Sequence, residues 1–159
     1  MLKKIYLILG LCIVIMGCSN KTSDVAPNDF NFSLSYGTYG KQKIDTFNDI
    51  VVKDLIEDGT MEVQISLSDD ELKQIYEEMM KIDIMGDLDI EKSDCISEPP
   101  HPTEWEIQMN GQRKTISYSD YCDYPKDVEN LIELKDFIHQ IVSSKDQYNK
   151  LPEARGGYK

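Results

Sequence analysis

The sequence predicts an α+β fold: an antiparallel sheet of about five strands, in the order β-β-β-α-β-β-α, with two helices on one face. Three observations predict it. Apolar residues recur at period two in several short runs. The dipeptides Asp58-Gly59 and Asn110-Gly111 separate pairs of such runs, and two longer stretches carry amphipathic helical spacing. A chain of 159 residues has room for one domain with a substantial core. That domain is expected over 29–145, after a polar tether at 18–28 and before a C-terminal tail at 146–159.

Phe30, Phe32, Leu34 and Tyr36 alternate as a half-buried strand does, until Gly37 and Gly40 interrupt the pattern. A second strand is expected over Asp49 to Ile56. Asp58-Gly59 is a hairpin signal, and Met61, Val63, Ile65 and Leu67 alternate beyond it. A two-residue turn there sets Ile56 opposite Met61, Val52 opposite Ile65 and Ile50 opposite Leu67, all on one face. Ser68-Asp69-Asp70-Glu71 then reads as a capping box. Its serine accepts from the amide three residues on, while Glu71 reaches back. Leu72, Ile75, Tyr76 and Met79 give the following helix one apolar face, and it should fade near Lys81 to Ile84.

Residues 86–102 lack a period and hold three prolines, so they form a long loop. Trp105, Ile107 and Met109 alternate before Asn110-Gly111, a type I′ turn candidate, and Ile116 and Tyr118 continue after it. Pairing around this turn sets Trp105 opposite Ile116 and Thr103 opposite Tyr118. The other face pairs Gln108 with Arg113 and Glu106 with Thr115. Pro125 suits a first helical turn, with Asp123 or Tyr124 near the cap. Val128, Leu131, Leu134, Ile138, Ile141 and Val142 mark a second amphipathic helix of about five turns. The ending 143–159 is either a loose tail or a segment that packs Leu151 and Tyr158 onto the domain.

The N-terminus is a separate device. Lys3 and Lys4 precede an apolar run from Ile5 to Met16. That run is too short to cross a hydrocarbon core, which takes about 20 helical residues, but it has the length of a signal-peptide apolar region. Ile15-Met16-Gly17-Cys18 resembles the lipobox of bacterial lipoproteins. The resemblance implies cleavage of residues 1–17 and a diacylglyceryl group on the Cys18 thiol, hence a protein anchored on the extracytoplasmic face of the cell membrane. Met16 departs from the small or β-branched residue commonest at that position. Two acyl chains suffice for stable anchoring. The overall run, in "TFNDIVVKDLIEDG", "SLSDDELKQIYEEMMKIDI" and "LPEARGGYK", also resembles small secreted lipoproteins of Bacillus-type bacteria, a likeness that implies no activity. In layout alone, hairpin then capped helix then hairpin then helix, it is similar to emfourin-type protease inhibitors, and no inhibitory residue carries over.

Loss of residues 1–17 removes two lysines and no acids, leaving 15 basic against 29 acidic side chains, a net of −14. Such a charge disfavours nucleic acid, whose binding rests on Lys and Arg displacing counterions. It disfavours electrostatic docking on anionic lipid too. It suits solubility, or a cationic protein or peptide partner.

Catalytic signatures such as G-x-S-x-G, H-E-x-x-H and phosphate-cradling glycine loops are missing from the sequence. The two histidines read as a loop residue (His101) and a boundary residue of the second helix (His139). No cofactor is implied. Asp87, Asp89, Glu91, Ser93 and Glu98 fall on positions 1, 3, 5, 7 and 12 of a calcium loop, but Lys92 stands where the sharp turn needs glycine. They read as a solvated acidic loop rather than a metal site. Tyr121 and Tyr124 form a candidate ligand patch, since amphipathic rings suit wet interfaces. Of the four cysteines, Cys12 leaves with the signal peptide and Cys18 is acylated. Cys95 and Cys122 then remain in an oxidising compartment and are expected to form a disulfide. The function expected is a membrane-anchored, non-catalytic binding module, with an inhibitor or modulator of an extracellular protease as the alternative.

Overall fold

The computed structural model describes residues 25–90, 95, 97–119 and 123–159. The signal segment, Cys12, Cys18 and most of the tether lie outside these residues, as do Glu91, Ser93, Tyr121 and Cys122. The chain forms β1 (Asn31–Tyr36), β2 (Gln42–Asp45), β3 (Ile50–Asp54), β4 (Thr60–Gln64), α1 (Asp69–Lys81), β5 (Thr103–Met109), β6 (Gln112–Tyr118), α2 (Lys126–Ser143) and a single turn, α3 (Asp146–Asn149). The strands make one antiparallel sheet in the spatial order β4-β3-β2-β1-β5-β6. The α+β class is as expected, with six strands instead of about five. The additional one is β2, whose Gln-Lys-Ile-Asp has one apolar residue and thus no period to read. Its backbone holds it between neighbours, with Ile44 opposite Leu34 on β1 and Val51 on β3.

One face of the sheet is apolar. Phe32 and Leu34 of β1, Ile44, Val51, Trp105, Ile107 and Ile116 join the buried stripes of α1 and α2 in a single core. The opposite face carries Ser33, Ser35, Lys43, Glu104, Glu106 and Arg113, none of them buried, so both helices cover the same side. The Ser68 box forms as expected: Ser68 Oγ accepts from the Glu71 amide at 3.3 Å, and Glu71 Oε2 accepts from the Ser68 amide at 2.8 Å. That carboxylate also pairs with Lys145 Nζ at 2.6 Å, tying the start of α1 to the end of α2. Pro125 stands at the N-cap of α2, one place before the expected first turn, with no side-chain cap bond.

The two hairpins differ in outcome. β5 and β6 pair in the expected register, Trp105 with Ile116, Thr103 with Tyr118, Glu106 with Thr115 and Gln108 with Arg113. Asn110 (φ 53°) and Gly111 (φ 72°) give the type I′ turn, and the Asp29 carboxylate accepts from both turn amides at 2.9 and 2.7 Å. Those amides hold the Asp29 carboxyl below its ordinary pKa against the burial that would raise it.

The β3–β4 register departs by three residues from the one expected. Lys53 faces Met61, Val51 faces Val63 and Ile50 faces Gln64. An odd shift turns the side chains of β3 over, so Val51 points into the core where Val52 was expected, while Val63 and Ile65 keep the expected side. The cause is a longer loop than Asp58-Gly59 alone suggests. Leu55 is buried, its amide donates to the Gly59 carbonyl at 2.8 Å, and Ile56 adopts φ 64° with its amide on Asp54 Oδ1.

This loop receives the C-terminal segment. Ile56 and Arg155 form a parallel bridge, and the Arg155 guanidinium takes Asp58 at 2.8–2.9 Å. Tyr158 donates to Asp54 Oδ2 at 2.5 Å, stacks edge-on with Tyr39 at 5.6 Å, and lies 4.7 Å beneath Lys41 Nζ. The ending is therefore the packed segment of the two alternatives. Among the described residues, no helix is long and apolar enough to cross a membrane.

Candidate functional site

β1 carries its alternation one step past the apolar core, and that step builds a site. Tyr36 pairs with Gln42 on β2, Ser35 with Glu104 on β5, and Thr103 with Tyr118 on β6. The registers therefore set Gln42, Tyr36, Thr103 and Tyr118 in a row across four neighbouring strands, on the helix side of the sheet. Above this row, Ile132, Lys135 and His139 of α2 share a face at i, i+3, i+7 spacing. The floor and this roof enclose a cleft of about 460 Å3, rimmed by His101, Ser119 and Tyr124. Clefts of this size are typical of small-ligand sites.

The centre of the roof is a fixed contact. Tyr36 Oη lies 2.7 Å from His139 Nδ1, with the rings edge-on at 5.9 Å. Burial, then the neighbouring phenol and carboxylate of Tyr148 and Asp136, raise the Tyr36 hydroxyl far above its ordinary range. Burial, then the Lys135 charge, lower the pKa of His139. With the phenol donating to Nδ1, the histidine proton lies on Nε2. The second flank of His139 meets Tyr148 of α3 edge-on at 6.0 Å, and the buried Lys53 stands 5.0 Å over the Tyr148 ring. Lys135 Nζ is 5.8 Å from the Tyr36 ring centroid and pairs with the exposed Asp136 at 2.5 Å.

The arrangement offers hydrogen-bonding groups and aromatic faces around a partly enclosed space. The Ser97 hydroxyl approaches His101 Nδ1 at 3.3 Å but gives its proton to the Pro99 carbonyl at 2.9 Å. A serine whose proton goes elsewhere is not activated by that imidazole. Among the described residues, no group of three or more His, Cys, Asp or Glu side chains could hold a metal.

The sequence candidates land in different places. Tyr124, which is exposed, lines the cleft, whereas its expected companion Tyr121 lies outside the described residues, as do Cys18 and Cys122. Cys95 is half-buried, and its expected partner lies outside the described residues. The two histidines, read separately along the chain, meet at one cavity. Tyr36, Gln42, Thr103 and Lys135 were not read as site residues. The signals were present: Tyr36 continues a core alternation with a polar tip, and Ile132, Lys135 and His139 flank the buried stripe of α2 at helical spacing.

A second cavity, of about 400 Å3, lies where the tether enters, between Val25–Phe30 and the first turn of α1. Strand β1 separates the two, running from Asn31 beside the tether to Tyr36 in the cleft. Six residues of strand span about 20 Å. The cleft thus sits at the end of the sheet remote from the tether. No protein-family model, curated protein or solved structure matches the chain.

Proposed function

We propose that this chain is a lipid-anchored binding module of the extracytoplasmic membrane face, held through Cys18 and acting without catalysis. The observation that carries the binding role is the cleft between the Gln42–Tyr36–Thr103–Tyr118 row and α2. Its walls combine aromatic faces with hydrogen-bonding tips, the composition of a site that encloses a ligand and orients it. Its position supports the anchoring role: with the lipid on Cys18, the tether holds one end of the sheet toward the bilayer and the cleft opens at the other. The ligand is a small solute or the end of a peptide, and the acidic outer surface favours a cationic protein around it. Cys95 and Cys122 form a disulfide that links the loop before β5 to the segment before α2, both of which border the cleft.

Two measurements test this. In Cys18→Ala, membrane recovery and palmitate labelling should both be lost; equal labelling of wild type and variant refutes the anchor. For binding, a library of small solutes of mixed charge is screened against the full chain in detergent by amide and aromatic NMR shifts. Perturbations centred on Tyr36, Tyr124, Lys135 and His139 support the module, and a library without any such hit overturns it.

A further inference from the structure

The described lining of the cleft does not share the acidity of the chain. Acids outnumber bases 29 to 17 over the sequence, yet no aspartate or glutamate stands among the described lining residues. The polar groups there are donors or can act as donors: the Lys135 ammonium, the Gln42 amide, the Thr103 hydroxyl and the His139 imidazole. Among the described lining residues, Lys135 is the one cation of full charge. Its side chain is 21% exposed, and its partner Asp136 is 66% exposed, on the solvent side. Solvent screens the exposed aspartate of this pair, so the half-buried ammonium can take a second anion from the cleft side. His139 Nδ1 is engaged with Tyr36, and in the tautomer in which the phenol donates there, Nε2 is a donor. Apolar surface accompanies these donors: the Ile132 side chain and the rings of Tyr36 and Tyr124. An inorganic anion would occupy little of such a cavity and leave the rings unused.

We propose that the cleft binds a carboxylate carried on a small apolar or aromatic body, with Lys135 as its charge partner and Gln42, Thr103 and His139 as donors around it. The inference rests on the cleft being a binding site and adds the ligand class. A free organic acid and the C-terminal residue of a peptide share this chemistry. A phosphate group would meet the charge but not the rings.

The test is equilibrium dialysis of the full chain in detergent with three radiolabelled probes of equal shape: phenylacetate, phenylacetamide and phenethylamine. Phenylacetate should bind about tenfold more tightly than the amide, the worth of one charge-assisted contact, and the amine most weakly. Lys135→Gln should bring phenylacetate down to the level of the amide and leave the amide unchanged; Lys135→Arg should retain the preference. Folding of each variant is checked by circular dichroism, and Lys73→Gln on α1 serves as the control outside the cleft. The dipeptide Ala-Phe against its C-terminal amide distinguishes a peptide terminus from a free acid: binding tighter than phenylacetate, lost on amidation, identifies the peptide. Amide or amine binding as tight as the acid overturns the carboxylate assignment while leaving the binding module intact. Retention of none of the probes at millimolar concentration overturns the assignment too, and the mixed-charge screen then decides the module separately. Displacement of phenylacetate by equimolar inorganic phosphate shows that the aromatic body contributes nothing and equally refutes the proposal.

Discussion

The Tyr36–His139 contact joins β1 to α2 across the cleft, so its removal has a calculable effect. Tyr36→Phe keeps the ring and deletes a 2.7 Å hydrogen bond at a side chain 7% exposed. The net worth of such a bond is about 1 kcal/mol, and a half-buried Nδ1 without its donor adds a similar cost, for a total of about 1–2 kcal/mol. His139→Leu removes the same bond from the other side along with the edge contact to Tyr148. A double-mutant cycle cancels the unrelated losses, and the coupling left between the two positions should be about 1 kcal/mol. Urea denaturation of the four proteins at pH 7.5, where the imidazole is neutral, measures it. Thermal melts provide a second readout, since 1 kcal/mol shifts the midpoint of a domain this size by roughly 3–5 °C. Losses that add within about 0.3 kcal/mol would show that the contact contributes nothing and that β1 and α2 are held by the apolar core alone.

Three further outcomes follow from other parts of the molecule. Folding stability should fall as pH drops below 6.5, because the unfolded chain protonates His139 near its ordinary 6.5 while burial and Lys135 hold the folded value lower; the contribution is complete above 6.5, and a His139→Leu variant with an equally steep decline refutes it. The carboxylates held low against burial, Asp45 by Lys43 and Asn48, Glu71 by Lys145 and Ser68, lose their contributions only near and below 3.8 and 4.5, well under the pH at which the histidine contribution starts to fall. Cys95 and Cys122 should resist alkylation of the folded protein without reductant, as read by intact mass; a bridge closing that loop stabilises by about 3.5 kcal/mol in the chain-entropy model, and two alkylated cysteines exclude it. Truncation after Leu151 removes the carbonyl of Arg155 from the Glu57 amide, so hydrogen exchange at Glu57 should quicken while the β5–β6 amides keep their rates; unchanged exchange would show the strap to be energetically idle.

Much of the local structure follows from neighbours in the chain. The Ser68 box is a reciprocal contact over three residues, and it forms as its residue types require. The β5–β6 register follows from Asn110-Gly111, because two residues that both accept positive φ leave the flanking strands one way to pair. The stripes of α1 and α2 likewise decide which helix faces are buried. The apolar run ending at Cys18 is another local pattern, and the anchored reading of the protein rests on it.

Other features depend on partners that the local sequence does not name. β2 has no period of its own and is a strand because β1 and β3 each offer it a backbone edge. The β3–β4 register is decided by the burial of Leu55 and the docking of Arg155 and Tyr158, which lengthen the loop that Asp58-Gly59 closes. The cleft is the clearest case: Tyr36 and His139 are 103 positions apart, and only the stacking of β1 between β2 and β5, with α2 laid over their ends, brings them to 2.7 Å. Periodicity encodes which side of an element is buried, but contact between remote elements is chosen by the burial of the whole core. A polar site at the edge of that core is therefore assembled by the tertiary fold, from residues that, taken singly along the chain, look like strand ends and a helix flank.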